Sequence, residues 1–158
     1  ADYLVLRTSW VYGARGANFL RTILRLAAER EELKIVADQI GAPTWSRMIA
    51  EATAAIVAQC YGVKPTGLAP FKGVYHLTNA GQTSWHGFTE AILALTADFA
   101  SSQGRKLQRV LPIPTSEYPL PAKRTQYSVL SNDKLATTFG IALPDWRASL
   151  AAVVESLN

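Results

Sequence analysis

The chain has 158 residues, 49% hydrophobic and 18% charged, a balance that suits one globular domain with a buried core and excludes a disordered segment. Sixteen Lys and Arg against twelve Asp and Glu leave a net charge of +4, scattered without a basic run of five, so nothing demands nucleic acid and a small polyanion is an equally good partner. The single cysteine, Cys60, excludes an internal disulfide framework and a thiolate zinc site and predicts a reducing, cytoplasmic setting, while no 18-residue apolar stretch or signal-peptide pattern predicts a membrane span or export.

Tyr3 to Leu6 (Y-L-V-L) reads as a buried strand that continues toward Trp10. It starts almost at the first residue and has no methionine before it, so the expectation is a chain that begins inside a larger protein. Gly13-Ala14-Arg15-Gly16 forms a turn, and from about Asn18 the spacing of Leu20, Ile23, Leu24 and Ala27 predicts a helix. Lys34 to Ala37 is a second short strand. It leads into a Gly- and Pro-punctuated loop, Asp38 to Thr44, and a helix from Ser46 to Cys60 striped by Ile49, Ala52, Ile56 and Cys60. Tyr61 to Gly73 is a Pro/Gly-rich connection before a third strand, Val74 to Thr78.

After the polar loop Asn79 to Thr83, Ser84 caps a helix marked by Trp85, Phe88, Ile92, Leu95 and Phe99, with a polar end at Ser101, Ser102, Gln103 and Gly104. Arg109 to Ile113 is a fourth strand, followed by a proline-rich loop to Pro121 and a strand-like Tyr127 to Leu130. Ser131 caps a further helix, Leu130 and Leu135 are spaced as a hydrophobic staple, and Gly140 ends that helix. Trp146, Leu150, Val153 and Leu157 stripe a last helix that begins at Asp145. Strands alternating with helices predict an α/β fold with mostly parallel pairing, whose ligand residues lie in loops after strands. No repeat or low-complexity segment is present.

The residues that could carry chemistry are few. Gly13-x-x-Gly16 lacks the third glycine of a dinucleotide loop and is either a turn or a weak phosphate cradle. His76 and His86 have no carboxylate at ligand spacing on their own elements, so no metal site is expected, and His76 reads as a hydrogen-bonded core histidine. No G-x-S-x-G elbow occurs. Glu29, Glu31 and Glu32 with Arg30 and Lys34 read as a solvated helix end. Trp10, beside Ser9 and Tyr12 at a strand's C-terminal end, is either core or a face for a ring-shaped ligand. Asn18 can cap its helix or hold an anion. Arg124, after the proline-rich loop, is a surface residue or a fork for a pyrophosphate. Composition and spacing alone show no catalytic acid, base or nucleophile.

Taken together, R-T-S-W-V-Y-G (Arg7 to Gly13), N-F-L-R-T-I-L-R-L-A (Asn18 to Ala27) and V-A-D-Q-I-G-A-P-T (Val36 to Thr44) resemble consecutive blocks of the dTDP-4-dehydrorhamnose reductase family, part of the extended short-chain dehydrogenase/reductases. G-V-Y-H-L (Gly73 to Leu77), S-V-L-S-N-D-K-L (Ser128 to Leu135) and L-P-D-W-R (Leu143 to Arg147) continue in family order over nearly the whole chain. The resemblance implies the C-terminal, substrate-binding part of a Rossmann-like enzyme. Such enzymes reduce the 4-keto group of dTDP-4-dehydro-L-rhamnose with NADPH or NADH, giving dTDP-L-rhamnose for polysaccharide. Residues 1–158 then form a single substrate domain without the N-terminal cofactor half. The family's Gly-rich loop and Tyr-x-x-x-Lys pair are absent: Tyr3 is followed by Arg7 at the fourth position and Tyr61 by Lys64 at the third. The chain alone is therefore expected to be inactive and to bind no nicotinamide cofactor by itself.

By the same resemblance Trp10 packs against the sugar ring. Thr8 and Ser9 face the nicotinamide end. Asn18, Gln39, Pro43, Thr44 and Arg124 contact the nucleotide and pyrophosphate. The family usually has Arg-Pro where this chain has Arg124-Thr125, which frees the backbone that proline would hold. The expected partners are a dTDP-sugar and the N-terminal half, with an exposed sheet edge that dimerises, swaps or is covered by rearrangement. Alternatives are a non-catalytic nucleotide-sugar-binding or regulatory protein of the same fold, and an epimerase or dehydratase of the superfamily, against which the D-Q-I-G-A-P-T block argues.

Overall fold

The computed structural model describes residues 2–62, 65–97, 104–119, 121–122 and 124–157. In chain order the strands are β1 (Leu4–Arg7), β2 (Val11–Tyr12), β3 (Glu32–Val36), β4 (Ile40–Gly41), β5 (Thr44–Trp45), β6 (Gly73–His76), β7 (Thr83–Ser84) and β8 (Arg109–Ile113). The helices are α1 (Phe19–Glu29), α2 (Ser46–Tyr61), α3 (Trp85–Leu95), α4 (Asp133–Phe139) and α5 (Trp146–Glu155). Short 3₁₀ turns occupy Ala69–Phe71 and Thr115–Glu117. The fold is α/β. β1 pairs with β6, β2 with β5 and β3 with β8, all parallel, and only β4–β7 is antiparallel.

Two apolar clusters hold these pairs. Leu4 and Leu6 of β1 and Tyr75 of β6 turn one face toward Ala52, Ile56 and Cys60 of α2 and toward Leu135 and Phe139 of α4. The second cluster joins Leu20, Ile23 and Ala27 of α1 to Phe88 and Ile92 of α3 and to Trp146, Leu150 and Val153 of α5. Helical spacing in the sequence therefore becomes packing: Leu20, Ile23 and Ala27 are all buried in this cluster, and Leu24 packs against it. Phe88 is fully buried and meets the rings of Tyr12, Phe19 and Trp146. Burial pushes the Tyr12 phenol well above its ordinary pKa.

The helix ends follow their cap chemistry. Asn18 caps α1 by accepting from the Arg21 amide, Ser84 caps α3 through the Gly87 amide and Asp145 caps α5 through the Arg147 amide. Gly140 closes α4 at φ +66° and donates its N–H to the Ala136 carbonyl, a left-handed conformation that favours glycine.

Several sequence expectations need correction. β1 ends at Arg7 and is only half buried, because its side chains alternate and Val5 lies on the open face. The chain leaves the sheet at Thr8 and re-pairs as β2 on β5. β6 stops at His76, two residues before the expected end at Thr78, and His76 is a half-buried residue whose Nδ1 faces the Ser131 carbonyl at 3.0 Å. Tyr127 to Leu130 is not a strand: Tyr127 makes one isolated bridge to Ile40, and the Ser128 amide donates to the Ile40 carbonyl. Ser131 lies one position before the cap residue Asn132, whose side chain ties α4 to Thr78 instead. Phe99, Ser101, Ser102 and Gln103 lie outside the described residues.

Candidate functional site

A cleft of about 1070 Å³ opens between α1, β3 and the segment that follows β8. Ser9 and Trp10, immediately after β1, and Trp85, the first residue of α3, also line it, as do Gln39, Arg124 and Ser128. The cleft thus gathers residues from the loops after β1, β3 and β8, where open α/β sheets bind their ligands.

Trp10 has the most constrained geometry. It is the only non-glycine residue with positive φ among the described residues, at +49°. Such a conformation costs on the order of 1–3 kcal/mol and persists only where the surroundings over-determine it. Here the Thr44 amide donates to the Trp10 carbonyl at 3.1 Å, and the indole stacks on Trp85 with ring centroids 3.6 Å apart and planes 9° apart. Phe19 backs Trp85 at 4.6 Å. The strain explains why β1 and β2 are separate strands: the chain reverses its local hand at Trp10.

On the adjacent wall, Thr115 donates its amide and its hydroxyl to the Asp38 carboxylate and accepts from Gln39 Nε2 at 3.1 Å. These donors hold the Asp38 carboxyl below its ordinary pKa, the Thr115 hydroxyl contributing most. They also fix Gln39 by its nitrogen and leave its carbonyl oxygen with no hydrogen bond among the described residues.

The charge of the cleft is positive. Arg30, Lys34 and Arg124 line it, and none forms an ion pair among the described residues. Of the two lining acids, Glu32 is paired with Arg109, which leaves Glu117. A concave surface with unpaired cations attracts a polyanion. Among the described residues no cluster of three His, Cys, Asp or Glu could hold a metal ion, and no helix is long and apolar enough to cross a membrane.

Of the residues singled out from sequence, the cleft brings together Ser9, Trp10, Gln39 and Arg124. Thr8 is exposed one residue away. Asn18, Pro43 and Thr44 do not line the cleft. The Asn18 amide donates to the Gly13, Arg15 and Gly16 carbonyls while its oxygen caps α1, so Gly13 to Gly16 is a turn closed by Asn18. Pro43 and Thr44 are buried, and the Thr44 hydroxyl donates to Ala42 and accepts from the Asn79 amide. Sequence reasoning missed Arg30, Lys34, Asp38, Thr115 and Trp85 as parts of the site. Arg30 and Lys34 read as a solvated helix end and Trp85 as helix core; only tertiary proximity to Trp10 and Gln39 distinguishes them.

Comparison with known proteins converges on one family. The RmlD substrate binding domain matches residues 1–158. A dTDP-4-dehydrorhamnose reductase of Burkholderia thailandensis is 54% identical over 156 residues, covering 99% of this chain and 52% of the relative. The Escherichia coli K12 reductase of the same name is 38% identical, covering 99% and 50%. Among solved structures, the Clostridium acetobutylicum dTDP-4-dehydrorhamnose reductase superposes with a TM-score of 0.82 at 34% identity over 98% of this chain and 49% of its own. The Bacillus anthracis reductase, solved in complex with NADP, gives 0.80 at 32% identity over 98% and 48%. The chain spans about half the length of these relatives. With a match over its full length, the chain belongs to the RmlD substrate-binding-domain family.

Proposed function

We propose that residues 1–158 act as one substrate-recognition unit of a cytoplasmic, NAD(P)H-dependent reductase that converts dTDP-4-dehydro-L-rhamnose to dTDP-L-rhamnose. The observation that carries this reading is the cleft itself: Trp10 lines it together with three cations that form no ion pair among the described residues, in a family member of this kind. Arg124, with Arg30 and Lys34 lining the same cleft, takes the diphosphate, for which a guanidinium fork is the best geometric match. Trp10 and the Gln39 carbonyl, which makes no hydrogen bond among the described residues, take the sugar and its hydroxyl groups. Asn18, Pro43 and Thr44 support these contacts by fixing the loops that carry them.

Of a nicotinamide cofactor this chain can touch one end only. Thr8 and Ser9 lie at the C-terminal end of β1, and the Ser9 hydroxyl is buried without a hydrogen-bond partner, a donor that an incoming amide can satisfy after a small shift. No Gly-rich loop for the dinucleotide phosphates is present in the sequence. When bound in the whole protein, the cofactor supplies the hydride. This chain binds and orients the sugar that receives it. β1 has a strand partner on one edge only among the described residues, and Val5 and Val74 are exposed on one face of the β1–β6 pair. We assign that edge and face to the remaining half of the protein.

The test is NADPH oxidation by the full-length protein, driven by dTDP-4-dehydro-L-rhamnose, against the same assay with residues 1–158 alone. Turnover by the former and none by the latter is expected. A full-length protein that binds the nucleotide sugar without turning it over would instead support a binding or regulatory role.

A further inference from the structure

Both faces of the Trp10 indole are occupied by the protein. Trp85 covers one face, stacked at 3.6 Å. A Cβ placed on Gly41 would lie 2.3 Å from Trp10 Cε2, 2.6 Å from Nε1 and 2.7 Å from Cζ2. An approach in the ring plane would meet Nε1 or Cζ2 before Cε2, so Gly41 comes from above the ring. On the Trp85 side this Cβ would lie between two rings 3.6 Å apart and have Trp85 atoms nearer than 2.7 Å; its three nearest atoms all belong to Trp10, which puts Gly41 on the opposite face. The indole therefore sits in a slot one ring thick, with an aromatic floor and a backbone roof that tolerates no side chain. What remains available is the ring edge. Trp10 Nε1 makes no hydrogen bond among the described residues, and it is absent from the buried unpaired atoms, so solvent reaches it.

We infer that Trp10 meets its ligand edge-on, donating its indole N–H to an oxygen of the nucleotide sugar, and that Trp85 and Gly41 are positioning residues that hold the ring in this pose. The inference rests on the proposed role of Trp10 as a substrate contact and changes its chemistry from a packing face to a hydrogen-bond donor. A donor fixed by a clamp discriminates for an oxygen at one place, whereas a ring face accepts any apolar surface. The positive φ of Trp10 aims the ring into the slot, and the stack on Trp85 holds it there.

The test uses the full-length protein, with calorimetric titration of dTDP and dTDP-L-rhamnose beside steady-state kinetics. Trp10→Phe keeps a flat ring in the slot and removes the N–H together with the five-membered ring that carries it. It should raise the Kd for dTDP-L-rhamnose and the KM by about tenfold while kcat stays within about threefold. Trp85→Ala and Gly41→Ala should each raise KM by a similar factor and abolish the Trp–Trp exciton couplet in circular dichroism. Trp85→Phe, which restores a ring, should return KM to within about threefold of wild type. If Trp10→Phe weakens dTDP-L-rhamnose but not dTDP, the acceptor is on the sugar; if it weakens both, the acceptor is on the nucleotide, and either result supports a donor. Wild-type affinity in Trp10→Phe together with lost affinity in Trp10→Ala overturns the edge-on donor and restores a face contact. Wild-type KM in Gly41→Ala with the couplet gone overturns the clamp. Unchanged affinity in Trp10→Ala defeats the proposed Trp10 contact itself, a result distinct from either of these.

Discussion

Asn79 lies just after β6, 1% exposed, and its side chain joins three parts of the chain. Its Oδ1 accepts from the Trp45 amide at 3.1 Å, and its Nδ2 donates to the Pro144 carbonyl at 2.9 Å and to the Ser149 hydroxyl. Asn79→Ala removes all three bonds. At about 1 kcal/mol net per bond the loss is about 3 kcal/mol, and the Trp45 amide, left buried without this acceptor, adds about 1–2 more. A total of about 4–5 kcal/mol is a large fraction of the 5–15 kcal/mol typical of a native protein. For a protein of about twice this chain's length it lowers the melting temperature by about 7 °C. Ser149→Ala breaks only one of the bonds and should cost about 1 kcal/mol. The same perturbation reaches the site, because Trp45 follows Thr44, whose amide holds the Trp10 carbonyl. The assay is a thermal melt of the full-length protein with amide hydrogen exchange read at Trp45. A melting point within about 2 °C of wild type, with Trp45 exchange unchanged, would refute the claim that Asn79 supports β5 and the cleft.

Other consequences are open to direct measurement. Phe88→Ala deletes a fully buried ring at the meeting point of Tyr12, Phe19 and Trp146, and should cost about 3–5 kcal/mol in chemical denaturation. Arg124→Ala should raise the KM for the nucleotide sugar by about tenfold and flatten its salt dependence, with kcat little changed; an unchanged KM removes Arg124 from the site. The folded-state pKa of Asp38 is depressed, so the stabilisation from its Thr115 bonds is fully present above the ordinary aspartate pKa and is lost as pH falls through the lower folded value. Asp38→Asn should therefore abolish this acid-range contribution, and an acid-unfolding curve identical to wild type would contradict it.

Much of the fold was legible in the sequence because its determinants are local. The stripe Leu20, Ile23, Ala27, the cap residues Asn18, Ser84 and Asp145, and the left-handed Gly140 all act within one helix, and the helices begin and end where those residues put them. The expectation of parallel pairing followed from alternating strands and helices. Pairing partners did not: β3 meets β8 across more than seventy residues, and β4 meets β7 antiparallel across more than forty.

The cleft divides in the same way. Trp10 and Arg124 stood out because aromatic and guanidinium groups after strands are suited to a nucleotide sugar, and Gln39 only through the resemblance to the family. Residue type could not show that Trp10 adopts a left-handed backbone, that Trp85 and Gly41 close on its two faces, or that Asp38 orders Gln39 through Thr115. Those contacts join residues up to 77 positions apart. The sequence by itself determined the helices, the α/β class and the family to which the chain belongs, since each is written in local spacing and in residue blocks. The cationic walls and the clamp on Trp10 were decided only by tertiary packing, because they arise where distant segments meet.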